Sequence, residues 1–109
     1  MTTSPKRLPR GFRRITARIA HADGTRPYVD AIETLAVPGL LITPHKCANR
    51  YTVTHAGSGY VVYGTFNGLS QTAAVRALHA VAALADWTHS AKTLRADPGL
   101  AERCAKALR

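Results

Sequence analysis

The spacing of apolar residues changes character once along this chain, from strand-like alternation before residue 70 to a helical repeat after it, and a chain ordered that way is restricted to an α+β fold. Residues 13–21 alternate cleanly. Ile15, Ala17 and Ile19 fall on one side and Arg14, Thr16 and Arg18 on the other, which is the period of a half-buried strand. Asp23-Gly24 supplies a turn after it. Residues 31–37 fit either a short strand or a helical turn, and Leu40-Leu41-Ile42-Thr43 is a strand stopped by Pro44. Two segments rich in β-branched and aromatic residues, 51–55 and 60–63, read as a hairpin. A type II′ turn at Gly57-Ser58 would pair Val53 with Val62 and His55 with Tyr60, leaving Thr52 and Thr54 on a face open to solvent.

Beyond residue 70 the signals are helical. Ser70 is a good N-cap for a helix over 71–85, with Ala74, Val75, Leu78, Val81, Ala82 and Ala85 as its core stripe. Its outer side is rich in alanine. A second helix is predicted over 90–96. Asp97-Pro98 then reads as N-cap and first helical residue of a last helix running to about Leu108, with Glu102 placed to pair with Lys106. The fold expected is α+β: a small antiparallel sheet of three to four strands packed on one main helix, with one or two further C-terminal helices.

A chain of 109 residues has room for one core. Apolar residues make up 46%, but many are alanine and only seven residues are Phe, Trp or Tyr, so the core is thin and Trp87 is its one large candidate anchor. A core this thin makes a homodimer plausible. Two cysteines, Cys47 and Cys104, make no disulfide framework, and no stretch is apolar for long enough to span a bilayer. Heavy use of Ala and Arg, with no secretory core after the basic start, points to the cytoplasm of a GC-rich bacterium.

Net charge is +9, from 15 Lys and Arg against 6 Asp and Glu, with a pI near 10.4. Such a balance is the electrostatic footprint of a polyanion binder. It is also localised. Lys6, Arg7, Arg10, Arg13, Arg14 and Arg18 occur before residue 19 with no acid among them. Residues 1–12, with two prolines and a glycine, read as a flexible basic arm, and 13–109 as a single α+β domain. The arm and the wet face of the first strand would contact phosphates. Arg50, Thr52 and Thr54 would form a second surface on the hairpin, able to enter a major groove. Arg103, Lys106 and Arg109 make a secondary basic patch on the last helix.

Catalytic and metal chemistry find little support. His21, His45, Cys47, His55 and Cys104 carry ligand atoms but lack the paired spacing with which a turn aims two ligands at one ion. The six acids show no pairing suited to acid–base work, and Gly57-Ser58-Gly59 joins strands rather than opening a helix as a phosphate loop does. No catalytic residue, metal or cofactor is therefore assigned.

The block from Tyr51 to Thr88, V-T-H-A-G-S-G followed by a strand and an alanine-rich helix ending D-W-T, resembles small proteins of actinobacteria and their phages. That resemblance implies a mobile-element origin and no particular activity. Three strands and then a helix opened by G-T-F-N-G-L-S-Q-T-A-A also look like the arm-binding domain of tyrosine recombinases, which lays its sheet in a major groove. The expectation is a non-catalytic accessory or regulatory protein that binds nucleic acid, DNA more than RNA. The alternative is a phage or prophage effector that binds and inhibits an acidic host protein. Neither involves a membrane, because no basic amphipathic helix carries bulky apolar residues.

Overall fold

The computed structural model describes residues 8–21, 23–45, 47, 49–60 and 67–107. Its elements are strands β1 (Phe12–Arg18), β2 (Tyr28–Thr34), β3 (Leu40–Pro44) and β4 (Tyr51–His55), followed by helices α1 (Gln71–Val81), α2 (Ala91–Arg95) and α3 (Leu100–Ala107). The strands form one antiparallel sheet in chain order. This is the α+β arrangement read from the pattern, with one main helix and two shorter ones at the C-terminal end.

Local chemistry explains most boundaries. Ser70 and Ser90 cap α1 and α2, each hydroxyl accepting from the backbone N–H three residues on. Residues 31–34 of the ambiguous segment belong to β2, with Ala31 buried on one face of the sheet and Ile32 partly buried on the other. The last helix begins two residues later than expected. Asp97 directs its carboxylate to the Gly99 N–H and to Arg103, so Pro98 and Gly99 lie in a turn ahead of α3. Glu102 and Lys106 pair at 3.5 Å, as their spacing predicts.

The main core lies between one sheet face and the helices. Leu40, Ile42 and Val53 meet Ala74, Leu78 and Val81 of α1, with Trp87, Leu100 and Cys104 closing the side. Phe12 belongs to this core as well. The arm therefore cannot extend to residue 12, because that side chain is one the domain buries. Trp87 is the anchor expected of it: it is buried, and its indole N–H donates to the Val81 carbonyl, tying the end of α1 to the segment that follows.

The sheet is rolled. Ala20, beyond the tip end of β1, donates to the Gly59 carbonyl, four residues past the opposite end of β4. These two points meet only if the β1–β2 hairpin curls over the face away from α1. The inside of the roll is lined with small residues, Ala17 and Ala31 beside Leu41, which let the strands approach. Thr43, Thr52 and Thr54 are buried on that same face, Thr43 and Thr54 sharing a hydroxyl–hydroxyl bond of 2.8 Å while Thr52 donates to Asn67.

The reversal after β4 differs from the expected two-residue turn. His55 and Tyr60 are joined as anticipated, the His55 N–H donating to the Tyr60 carbonyl at 2.9 Å. The positive φ, however, is at Gly59 (+77°) and not at Gly57, and the Gly59 N–H closes the loop onto the His55 carbonyl. The reason is steric. A Cβ on Gly59 would lie 3.0 Å from the Ala20 nitrogen and the Arg18 oxygen, so contact with β1 requires glycine there. The rest of the predicted second hairpin strand, 61–63, lies outside the described residues.

Candidate nucleic-acid interface

Alternation along β1 sends its residues to two different environments. Ile15 and Ala17 face into the roll, and Arg14, Thr16 and Arg18 face out, beside their β2 partners Ile32, Asp30 and Tyr28. Arg14, Thr16, Arg18, Asp30 and Tyr28 are exposed. Beyond the strands the ladder continues through Ile19 with Pro27 and His21 with Thr25, and Asp23 closes the tip by accepting from both the N–H and the hydroxyl of Thr25. Those two bonds hold the Asp23 carboxyl below its ordinary range. The hairpin is thus a stiff ribbon with an Arg-bearing outer face.

At its tip lies a cluster that the sequence did not announce. The Arg18 guanidinium stands 5.7 Å above the Tyr28 ring, and Arg26 stands 6.0 Å above the ring of Tyr60. The two pairs are linked, since Arg18 Nε donates to the Arg26 carbonyl and Arg26 donates to the Ser58 carbonyl. Tyr28 is 69% exposed and Tyr60 48%. The signal missed was Arg26-Pro27-Tyr28 itself, a cation and an aromatic two residues apart directly after the Asp23-Gly24 turn. Tyr60 could not be placed beside it without knowing that the sheet rolls.

The residues singled out from the sequence do not form one surface. Arg10 is exposed just before β1, while Lys6 and Arg7 lie outside the described residues. Arg13 is on the other side of β1 from Arg14 and Arg18, bound to Glu33 at 2.6 Å across the strand pair. Arg50 is exposed in the turn before β4, whereas Tyr60 and the hairpin tip gather at the far end of that strand, about 17 Å away for five residues. Thr52 and Thr54 are corrected outright. At 8% and 2% exposure they line the buried face, where their hydroxyls are satisfied by Asn67 and Thr43. In the secondary patch, Arg103 is paired with Asp97 and Lys106 with Glu102, and Arg109 lies outside the described residues.

The metal-capable side chains are dispersed. His55 is buried with Nε2 between the Trp87 and His89 carbonyls, at 3.0 and 2.9 Å, so that nitrogen must carry the proton. Its Nδ1 accepts from the Ser58 N–H. His45 Nδ1 is likewise occupied, accepting from the Cys47 N–H. Among the described residues no group of three or more His, Cys, Asp or Glu could hold an ion. Within the same residues no helix is long and apolar enough to cross a membrane.

No protein-family model matches the chain, and no curated protein or solved structure matches it either.

Proposed function

We propose that this protein is a non-catalytic DNA-binding accessory or regulatory protein of a bacterial mobile element, and that it engages nucleic acid through the outer face of the β1–β2 hairpin. The observation that carries the reading is that Arg14, Thr16 and Arg18 share one exposed strand face, continued at the tip by Arg26 and Tyr28. Arginine forks and a threonine hydroxyl are suited to phosphate oxygens, and a rigid ribbon fixes their spacing. Asp30 is the acid on this face, and its place opposite Thr16 sets it between the levels of Arg14 and Arg18. Lys6, Arg7 and Arg10 would extend the contact along the backbone.

The test is a mobility-shift or anisotropy titration of purified protein across salt concentrations. Binding whose log K falls linearly with log[salt], and which drops at least tenfold in Arg18→Glu, supports the proposal. Charge reversal with no effect on affinity sinks it. The competing reading, an acidic host protein as target, draws on Tyr28 and Tyr60, since exposed Tyr beside Arg is a common anchor of protein interfaces. That reading requires that the protein alone show no salt-dependent binding to DNA.

A further inference from the structure

We infer that the linked Arg18–Tyr28 and Arg26–Tyr60 pairs are a stacking platform for the bases of single-stranded nucleic acid. This rests on the proposed function and names the form of nucleic acid it favours. A base that is unpaired has two free π faces and a flexible backbone, and it stacks on any exposed aromatic ring regardless of its identity. A base within a duplex is already stacked on both sides and must be extruded before it can reach a ring, at a cost in free energy.

Tyr28 and Tyr60 meet the requirements of such a platform. Large apolar side chains exposed on this molecule are few among the described residues: Tyr28, Tyr60 and Leu35. Two of these three are aromatic, and each of the two carries a guanidinium over its ring. A guanidinium in that position leaves the ring's other face and edges to a ligand while placing positive charge within reach of the adjoining phosphate.

The arrangement is also fixed in place. Tyr28 is the first residue of β2, directly opposite Arg18, the last of β1. Tyr60 is held by its carbonyl on His55 and by its N–H, which donates to the Ser58 hydroxyl. Gly59 is packed against the backbone of Arg18, Ile19 and Ala20, so the contact that rolls the sheet is the one that brings Tyr60 alongside Arg26. Rings pre-positioned by backbone hydrogen bonds lose little freedom on binding, which favours their use as anchors.

The experiment compares a dye-labelled single-stranded homopolymer with a duplex of equal length, by anisotropy, for the full chain and for Tyr28→Ala, Tyr60→Ala and Tyr28→Phe. Each alanine variant should weaken single-strand binding roughly 5- to 100-fold, a larger loss than it causes in duplex binding, with its salt slope unchanged. Tyr28→Phe should retain wild-type affinity, because stacking needs the ring and not the hydroxyl. Both tyrosines are exposed, and unchanged thermal melting of the variants will show that the fold is intact. If the alanine variants bind the single strand as tightly as wild type does, the platform is refuted while salt-dependent binding leaves the proposed function standing. If wild type binds neither form in a salt-dependent way, the proposed function fails and the platform with it.

Discussion

His55 Nε2 donates to the carbonyl of Trp87 at 3.0 Å, joining the loop after β4 to the segment after α1 across a separation of 32 residues. The same N–H is shared with the His89 carbonyl, and Nδ1 accepts from Ser58. One imidazole therefore satisfies four-residue loop closure on one side and two backbone acceptors on the other. Replacing it by alanine removes the shared donor and opens a cavity beside Trp87. His55→Ala should lower unfolding free energy by roughly 2–4 kcal/mol, seen as a lower denaturant midpoint at unchanged m-value. Ser58→Ala should cost only about 1 kcal/mol, because the Ser58 N–H still reaches the ring.

Trp87 also explains why residue 39 must be glycine. A Cβ there would lie 2.3 Å from both the carbonyl carbon and oxygen of Trp87, and φ is +96°. Gly39→Ala should therefore exceed about 4 kcal/mol and leave little folded protein. Gly24 provides the control. Its φ is +89° but a Cβ would meet nothing within 4 Å, so Gly24→Ala should cost only the left-handed backbone term of about 1–2 kcal/mol. Gly59→Ala should fall between them. Melting temperatures of the three variants must rank in that order.

How much of this was legible depends on whether the cause was local. Ser70, Ser90 and the Glu102–Lys106 pair act within one helical turn, and their spacing predicts them. The strand β2 is ambiguous in the sequence because Ala31 is buried in the roll while Ile32 packs, partly buried, toward α1, which erases the alternation that marks a half-wet strand. Thr52 and Thr54 misled for a different reason. Threonine on a strand reads as solvent-facing, yet here the Thr54 hydroxyl pairs with that of Thr43 and the Thr52 hydroxyl donates to Asn67, and nothing in their neighbours along the chain announces it. The meeting of Tyr60 with Arg26 was beyond local reading altogether, because it follows from the curl of the whole sheet.

The two cysteines should separate by reactivity. Cys47 is exposed and Cys104 is buried, where desolvation pushes its thiol up and removes the reactive thiolate. Ellman's reagent should titrate one thiol in the native protein and the second only after denaturant is added. Prompt reaction of both under native conditions would contradict the packing of α3 against α1.

Acid should destabilise the fold from the surface inward. Asp86 is lowered by the hydroxyl and N–H of Thr88, and Asp97 by Arg103 and the Gly99 N–H. A carboxyl depressed in the folded state stabilises fully above its unfolded value and loses that contribution as pH falls through the folded one. The contribution of these two carboxyls to melting temperature should thus decline as pH falls below the ordinary carboxylate range. Asp86→Asn and Asp97→Asn should each shallow that decline, since neither residue then titrates.

Charge position, rather than total charge, should govern the salt response. Removing residues 1–7 deletes Lys6 and Arg7, and if both neutralise phosphates the log–log slope should shrink by about 1.8, at roughly 0.9 per contact. Arg18→Ala should remove about one contact's worth of slope. Arg50→Ala should leave the slope alone, because Arg50 sits at the opposite end of β4 from the hairpin tip. Arg13→Ala should do likewise: Arg13 faces away from Arg14 and Arg18 and is already engaged by Glu33, so its loss costs stability of about 0.2–1 kcal/mol instead. A slope that fell equally for all four changes would mean that net charge alone attracts the polyanion, with no part assigned to the β1–β2 face.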